Sequence, residues 1–165
     1  MALNELSSGF VETKYGKFKI AVSPRGLIKI DFPSRHRHRK KNSNLSNSNK
    51  VFRQSKTFLN RYFSGSLKGF ATIPIDWSIF TPFDKRVLTT LMKVRPGKTI
   101  TYGELAKKSK FPGAARAVGN ALNRNPIPVL IPCHRVLRKD LTLGGYRGGL
   151  RWKKILLEID KQYNF

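Results

Sequence analysis

Acidic residues are scarce in this chain. Nine Asp and Glu stand against 33 Lys and Arg, a formal net charge of +24. Self-repulsion opposes compaction of so basic a chain, and a polyanionic partner relieves it. Nucleic acid is the partner expected, with an anionic membrane surface or an RNA scaffold second. Charge alone does not separate DNA from RNA, because phosphate contacts carry no base information. Cysteine is scarcer still: it occurs once, at position 133, so no internal disulfide can form and nothing points to secretion. No apolar run approaches the ~20 residues that span a membrane. Met1-Ala2-Leu3-Asn4-Glu5 lacks the basic and apolar regions of a signal peptide. These absences predict an intracellular, cytoplasmic protein, nucleoid-associated or nuclear according to its host, with no membrane association. At 165 residues and 39% apolar content the chain has room for one or two small domains.

The first half reads as a small sheet with a helix. Phe18–Val22 and Leu27–Phe32 are strand-like, and Ser23-Pro24-Arg25-Gly26 between them is a turn signal, so they predict a hairpin. Residues 34–50 begin with the cationic block Arg35-His36-Arg37-His38-Arg39-Lys40-Lys41 and continue as a Ser/Asn-rich tract. They lack the apolar side chains to pack and predict a mobile basic loop. His36 and His38 have no cysteine or acid beside them, so no metal site is expected. From Val51 to Phe63 aromatic and aliphatic residues recur at helical spacing. Ile73–Ile79 reads as a short extended piece, and the domain boundary is expected at residues 75/76.

The second half reads as helices. Thr81-Pro82-Phe83-Asp84 is a helix start, with a capping Thr, a Pro in the first turn and an acid three residues after the cap. Phe83, Val87, Leu88, Leu91 and Met92 form its apolar stripe. Thr101 and Glu104 make a capping box for a second helix. A third is expected from Ala114 to Arg124, with Ala114, Ala117, Val118, Ala121 and Leu122 facing inward and Ala115, Arg116, Gly119, Asn120 and Asn123 outward. Three short helices with tight turns predict a helix-turn-helix, the third helix being the one that enters a groove. Leu150 to about Gln162 is a final amphipathic helix.

The chemistry concentrates at Pro132-Cys133-His134-Arg135-Val136. Prolines at 126, 128 and 132 argue against a central strand or a helix and predict a rigid, extended, apolar approach that sets Cys133 on a turn. A lone cysteine in an apolar run is often an inert core thiol. His134 and Arg135 argue otherwise, because burying both is costly beside an inert group and both favour a thiolate.

This stretch resembles the active-site signature of the O6-alkylguanine-DNA alkyltransferases, the methylated-DNA–protein-cysteine methyltransferases. Arg116-Ala117-Val118-Gly119-Asn120-Ala121, Asn125-Pro126, Gly145-Tyr146-Arg147-Gly148-Gly149 and, upstream, Tyr102-Gly103-Glu104-Leu105-Ala106 follow that family in order and spacing. The resemblance implies an α+β protein: a ribonuclease H-like N-terminal domain, residues 1–75, and a winged-helix or helix-turn-helix-type C-terminal domain, residues 76–165, that carries the cysteine. It implies a monomeric DNA repair protein with no cofactor and no obligate protein partner. Such a protein flips O6-alkylguanine, and by extension O4-alkylthymine, out of double-stranded DNA and transfers the alkyl group irreversibly to Cys133, once per molecule. His134 would take the thiol proton through a water, and a C-terminal acid would orient His134. Asn125 would brace the cysteine turn, Arg116 would replace the extruded base, and Tyr102 would crowd the phosphate and donate to the base. Ala115, Gly119, Asn120, Asn123 and Arg135 would meet DNA, while Pro128, Val136, Tyr146 and Arg147 would join Tyr102 in lining the base pocket.

The family that this stretch resembles usually has a Glu two residues past a Leu-Leu pair. Here Asp160 takes that place after Leu156-Leu157. Helix phase concurs, since Asp160 falls at the edge of the stripe formed by Trp152, Ile155, Leu156, Ile159 and Tyr163, while Glu158 shares a face with Arg151, Lys154 and Lys161. Asp160 is therefore expected to serve His134, with Glu158 the alternative. Two other readings stay open: a non-catalytic lesion sensor or helix-turn-helix DNA-binding protein, and a cysteine hydrolase, for which the only other histidines lie in the basic loop.

Overall fold

A computed structural model of the chain describes residues 6–33, 49–66 and 72–163. It divides into two compact units, one ending at Ile79 and the other beginning at Phe80. Most of the basic stretch expected as a loop, residues 34–48, lies outside the described residues. Asn49 and Lys50 belong instead to a helix start, where the Asn49 side chain caps Phe52 N at 3.0 Å.

In the first unit, strands β1 (Ser7–Thr13), β2 (Gly16–Ser23) and β3 (Gly26–Asp31) form an antiparallel sheet in the order β1-β2-β3. Alternation buries Val11, Phe18, Ile20, Val22, Leu27 and Ile30. Helix α1 (Lys50–Ser64) lays Phe52, Ser55, Phe58, Leu59, Tyr62 and Phe63 inward, and the Phe18 and Phe63 rings meet at 5.0 Å between centroids. Each such aromatic or aliphatic side chain contributes roughly 1.5–3 kcal/mol on full burial. Strand β1 was not expected. Ser7, Ser8 and Gly9 are poor strand formers taken singly, and pairing along the whole of β2 overrides that weakness.

The piece expected as extended over Ile73–Ile79 makes one bridge, Ile75 to Leu27, and then coils into a single 3₁₀ turn over Trp77–Ile79. Gly26 permits that bridge. Its φ is +147°, and a Cβ there would sit 2.6 Å from the Pro74 carbonyl oxygen. Asp76 fastens the crossing, accepting bonds from Ser23 Oγ at 2.6 Å, Ser78 Oγ at 2.6 Å and Ser78 N at 3.0 Å.

The second unit begins with α2 (Pro82–Leu91), capped by Thr81, followed by β4 (Ile100–Thr101), α3 (Tyr102–Lys108) and α4 (Ala115–Arg124). The Thr101–Glu104 capping box is present in full. Val87, Leu88, Leu91, Leu105, Val118 and Ala121 are fully buried between these helices. Helix α2 departs from expectation at both ends. Met92, at its C-terminus, is exposed. Asp84, in its first turn, is buried, because Arg124 at the end of α4 holds its carboxylate with two bonds, at 2.7 and 3.2 Å. Ala117, expected to face inward, is also exposed, while Val118 and Ala121 carry the contact.

After α4 the chain makes its cysteine turn and then β5 (Val136–Leu137), which pairs in parallel with β4 through Ile100–Val136 and Thr101–Leu137. That pairing positions the site. It fixes the residue that opens α3, Tyr102, and the residues that follow Cys133 on neighbouring strands. A glycine-rich loop leads to the last helix, α5 (Leu150–Lys161). Among the described residues, no helix is long and apolar enough to cross a membrane.

Candidate active site

The approach to Cys133 is not the extended run that three prolines predict. Residues 126–131 fold back as successive turns, with Ile131 N donating to Ile127 O at 3.0 Å and Val129 at φ +72°. Asn125 makes this possible. Its Oδ1 accepts from Ile127 N at 3.0 Å, and its Nδ2 lies 3.1 Å from Ile131 O and 3.2 Å from Cys133 Sγ. One buried amide therefore closes the turn and touches the thiol. Cys133, His134 and Arg135 then form a single 3₁₀ turn.

All three residues of that turn are buried, Cys133 at 7% exposure. Burying His134 beside Arg135 is affordable because one carboxylate serves both. Asp160 Oδ2 lies 3.1 Å from His134 Nε2 and accepts from Arg135 Nε at 2.6 Å, while its Oδ1 accepts from Arg135 Nη2 at 3.1 Å. The remaining fork of Arg135 donates to Val94 O at 2.6 Å. Arg135 was expected at the DNA. Instead it is 6% exposed and committed to this internal cluster, since a guanidinium facing a buried carboxylate is worth more there than in solvent. Glu158 lies on the exposed face and pairs with Lys161 at 2.7 Å.

This cluster sets the protonation states. Burial pushes the His134 imidazole below its ordinary value against the pull of Asp160, so it is neutral near pH 7. Burial works to raise Asp160, but the bonds from His134 and Arg135 and their charges outweigh it and hold the carboxyl at about 2. An ionised carboxylate only accepts, so the proton of neutral His134 sits on Nε2 and the basic lone pair on Nδ1. Burial raises the Cys133 thiol above its usual range, opposed by hydrogen bonding from Asn125 and Tyr146 and by the charge of Lys153. The thiol at rest is protonated and needs a base.

Lys153 is a site residue that sequence reasoning missed. It is fully buried in α5 and its Nζ donates to Val136 O at 2.8 Å and Gly144 O at 3.3 Å. It thus ties the strand after the cysteine turn to the glycine-rich loop. Burial lowers its ammonium to about 8. The stripe Lys153, Leu156, Asp160 was present in the sequence at helical spacing, but a lysine reads by default as a surface residue.

Cys133 opens on a cavity of about 660 Å³ lined by α4, by Tyr102 and by the glycine-rich loop. Ala115, Arg116, Gly119, Asn120 and Asn123 line it, as do Tyr146 and Arg147. Gly144 is confined by Tyr102, whose hydroxyl would lie 2.5 Å from an added Cβ. Pro128 and Val136, expected in the base pocket, are buried and are not among the residues that line the cavity. Among the described residues, no group of three or more His, Cys, Asp or Glu side chains is placed to hold a metal ion.

Two family models match the chain: the 6-O-methylguanine DNA methyltransferase ribonuclease-like domain over residues 6–77 and the DNA binding domain of the same family over residues 82–162. A methylated-DNA–protein-cysteine methyltransferase of Methanosarcina barkeri is 36% identical over 154 residues, covering 92% of this chain and 94% of the relative. One of Haemophilus influenzae is 42% identical over 111 residues, covering 67% of this chain but only 62% of that relative. Among solved structures, Mycobacterium tuberculosis OGT in complex with DNA superposes with a TM-score of 0.78 at 32% identity, covering 94% of this chain and 92% of that one.

Proposed function

We propose, from the premise that this chain belongs to the 6-O-methylguanine DNA methyltransferase family, that it repairs DNA by moving the alkyl group of O6-alkylguanine onto Cys133. The observation that carries the reading is a single thiol lining an open cavity, with a carboxylate-bound histidine next to it in the chain: Cys133 held by Asn125, and the His134–Asp160–Arg135 cluster on the same turn. Alkyl groups on O6 lie on the pairing edge and are out of reach within a duplex, so the nucleotide leaves the stack at a cost of a few kcal/mol. Arg116, exposed on α4 at the cavity wall, takes the vacated place, and the base stacks between Tyr102 and the glycine-rich loop.

His134 Nδ1 then removes the thiol proton through a bridging water, and Asp160 stabilises the imidazolium that results. The thiolate attacks the alkyl carbon. The S–C bond forms as the C–O6 bond breaks, the electron pair stays on O6, and the released guanine takes up a proton. A thioether is a poor leaving group and no second cysteine is present, so each molecule, acting as a monomer on cellular DNA, reacts once. O4-alkylthymine presents the same chemistry.

Incubating the protein with duplex carrying one O6-methylguanine and weighing the Cys133 peptide tests this. A methyl gain on Cys133, stoichiometric and absent from Cys133→Ala, is the expected result. A duplex that binds without any mass gain makes the protein a lesion sensor.

A further inference from the structure

The second unit holds another cavity, of about 520 Å³, walled by residues 97–99 ahead of β4, by β5, by the start of the glycine-rich loop and by α5. It shares no lining residue with the Cys133 cavity. The same two segments part them: Leu137 lines this cavity and Arg138 the other, Leu143 this one and Gly144 the other. Leu137, Leu143 and Leu157 are half-buried and supply its apolar surface. Both acids of the lining are already balanced. Glu158 pairs with Lys161 at 2.7 Å, and the Asp160 carboxylate is held by His134 and Arg135. Lys98 and Lys154 also line it; both are exposed, and neither enters an ion pair among the described residues.

The cavity thus joins three leucines to two uncompensated ammoniums. Mostly apolar walls with a few placed polar groups, at this volume, are the form of a small-molecule site. A phosphodiester backbone would answer the lysines and leave the leucines unmatched. A second copy of this chain brings the same +24 excess and is repelled by the lysines. We propose that this cavity binds a small amphipathic anion, its apolar body on Leu137, Leu143 and Leu157 and its carboxylate, sulfonate or phosphate head on Lys98 and Lys154. Burial of the apolar body supplies most of the affinity, and the ammoniums supply the selection for an anion.

Two probes of one shape test this: anilinonaphthalenesulfonate, an aromatic body with a sulfonate, and N-phenylnaphthylamine, the same body without it. Fluorescence titrations give their affinities for the wild type, Leu157→Ala, the double variant Lys98→Ala/Lys154→Ala, and Arg116→Gln. The double lysine variant should bind the sulfonate roughly tenfold more weakly, the scale of two exposed ion pairs, and the neutral probe as the wild type does. Leu157→Ala should weaken both probes severalfold, since both lose apolar contact. Arg116→Gln removes a cation from the other cavity and should change neither. A loss of sulfonate binding in Arg116→Gln equal to that in the double lysine variant would put the probe in the Cys133 cavity and overturn the site. So would an unchanged sulfonate affinity in the double lysine variant. Both lysines are exposed, so that variant keeps its fold and the test stands even where Leu157→Ala is destabilised. None of these readings depends on alkyl transfer.

Discussion

Asp76 in the first unit and Asp160 in the second are both buried in a tight hydrogen-bonded setting, and the two are held by different kinds of donor. Asp76 in the first unit accepts from two serine hydroxyls and a backbone amide. Asp160 in the second accepts from a guanidinium and an imidazole. Burial works to raise both carboxyls, and their partners hold both below the usual range. The chemical consequences diverge. Neutral donors that belong to neighbouring turns leave Asp76 as a fastener for the backbone of the crossing at Gly26. The bonds from His134 and Arg135 and their charges keep Asp160 ionised, and an ionised Asp160 makes Nδ1 the basic nitrogen of His134. The second arrangement is costly to assemble, and it yields a tuned base rather than a fixed loop.

The largest effect separates Asp160 from its neighbour on the helix. Asp160→Asn should slow single-turnover alkyl transfer by roughly a hundredfold or more, the usual scale of general-base assistance. It should also destabilise the fold by about 3–5 kcal/mol, since Arg135 loses a buried counter-charge. Glu158→Gln, in an exposed ion pair, should cost no more than about 0.5 kcal/mol and leave the rate unchanged. Asp160→Glu keeps the charge and should retain most of the activity, which guards against reading misfolding as mechanism. Comparable slowing in Glu158→Gln would remove Asp160 from its role.

Acid should expose the same cluster through stability. Asp160 has a folded pKa of about 2 against an ordinary 3.8. A depressed carboxyl adds stability that is present above about pH 4 and is lost as the pH falls through about 2. Urea midpoints between pH 5 and 2 should therefore show a loss of about 2 kcal/mol in the wild type that Asp160→Asn does not share. Parallel curves for the two proteins would show that Asp160 does not carry the acid limb.

Lys153 ranks next. Lys153→Met keeps the length but leaves the Val136 and Gly144 carbonyls without their donor, at about 1–3 kcal/mol. Removing a cation that favours the thiolate should also move the midpoint of Cys133 alkylation by iodoacetamide to higher pH. A destabilised protein with an unmoved midpoint would reduce Lys153 to a clamp.

How much of this was legible in the sequence depends on whether a residue's default role matched its actual one. Asp160 could be placed from helix phase, because a carboxylate on an apolar edge demands a partner. The helix caps at Thr81 and Thr101 were legible because capping is local. Lys153 and Arg135 were not, since a basic residue is read outward until its partner is known, and those partners are backbone carbonyls and a residue 25 positions away. Strand β1 was missed for a similar reason: its small residues acquire strand character only by pairing with β2. The turns over residues 126–131 depend on a buried amide, Asn125, whose bonds to Ile127, Ile131 and Cys133 no propensity records.

The smallest effect belongs to the first unit. Ser23 Oγ lies 2.6 Å from Asp76 Oδ2 and 3.4 Å from Gly26 O. A hydroxyl has one proton, and the shorter, charge-assisted bond claims it. The oxygen itself accepts from Arg25 N at 3.1 Å, so Ser23 links the hairpin turn to the carboxylate. Ser23→Ala removes one of three donors to Asp76 and the acceptor of a turn amide that is open to water. The expected loss is about 1–2 kcal/mol, seen as a lower urea midpoint with an unchanged slope. Transfer to the free base O6-methylguanine, which needs neither DNA binding nor base flipping, should proceed at the wild-type rate. A fall in that rate comparable to that of Asp160→Asn would mean that Asp76 reaches the chemistry after all, and the division between a fastening carboxylate and a tuning one would fail.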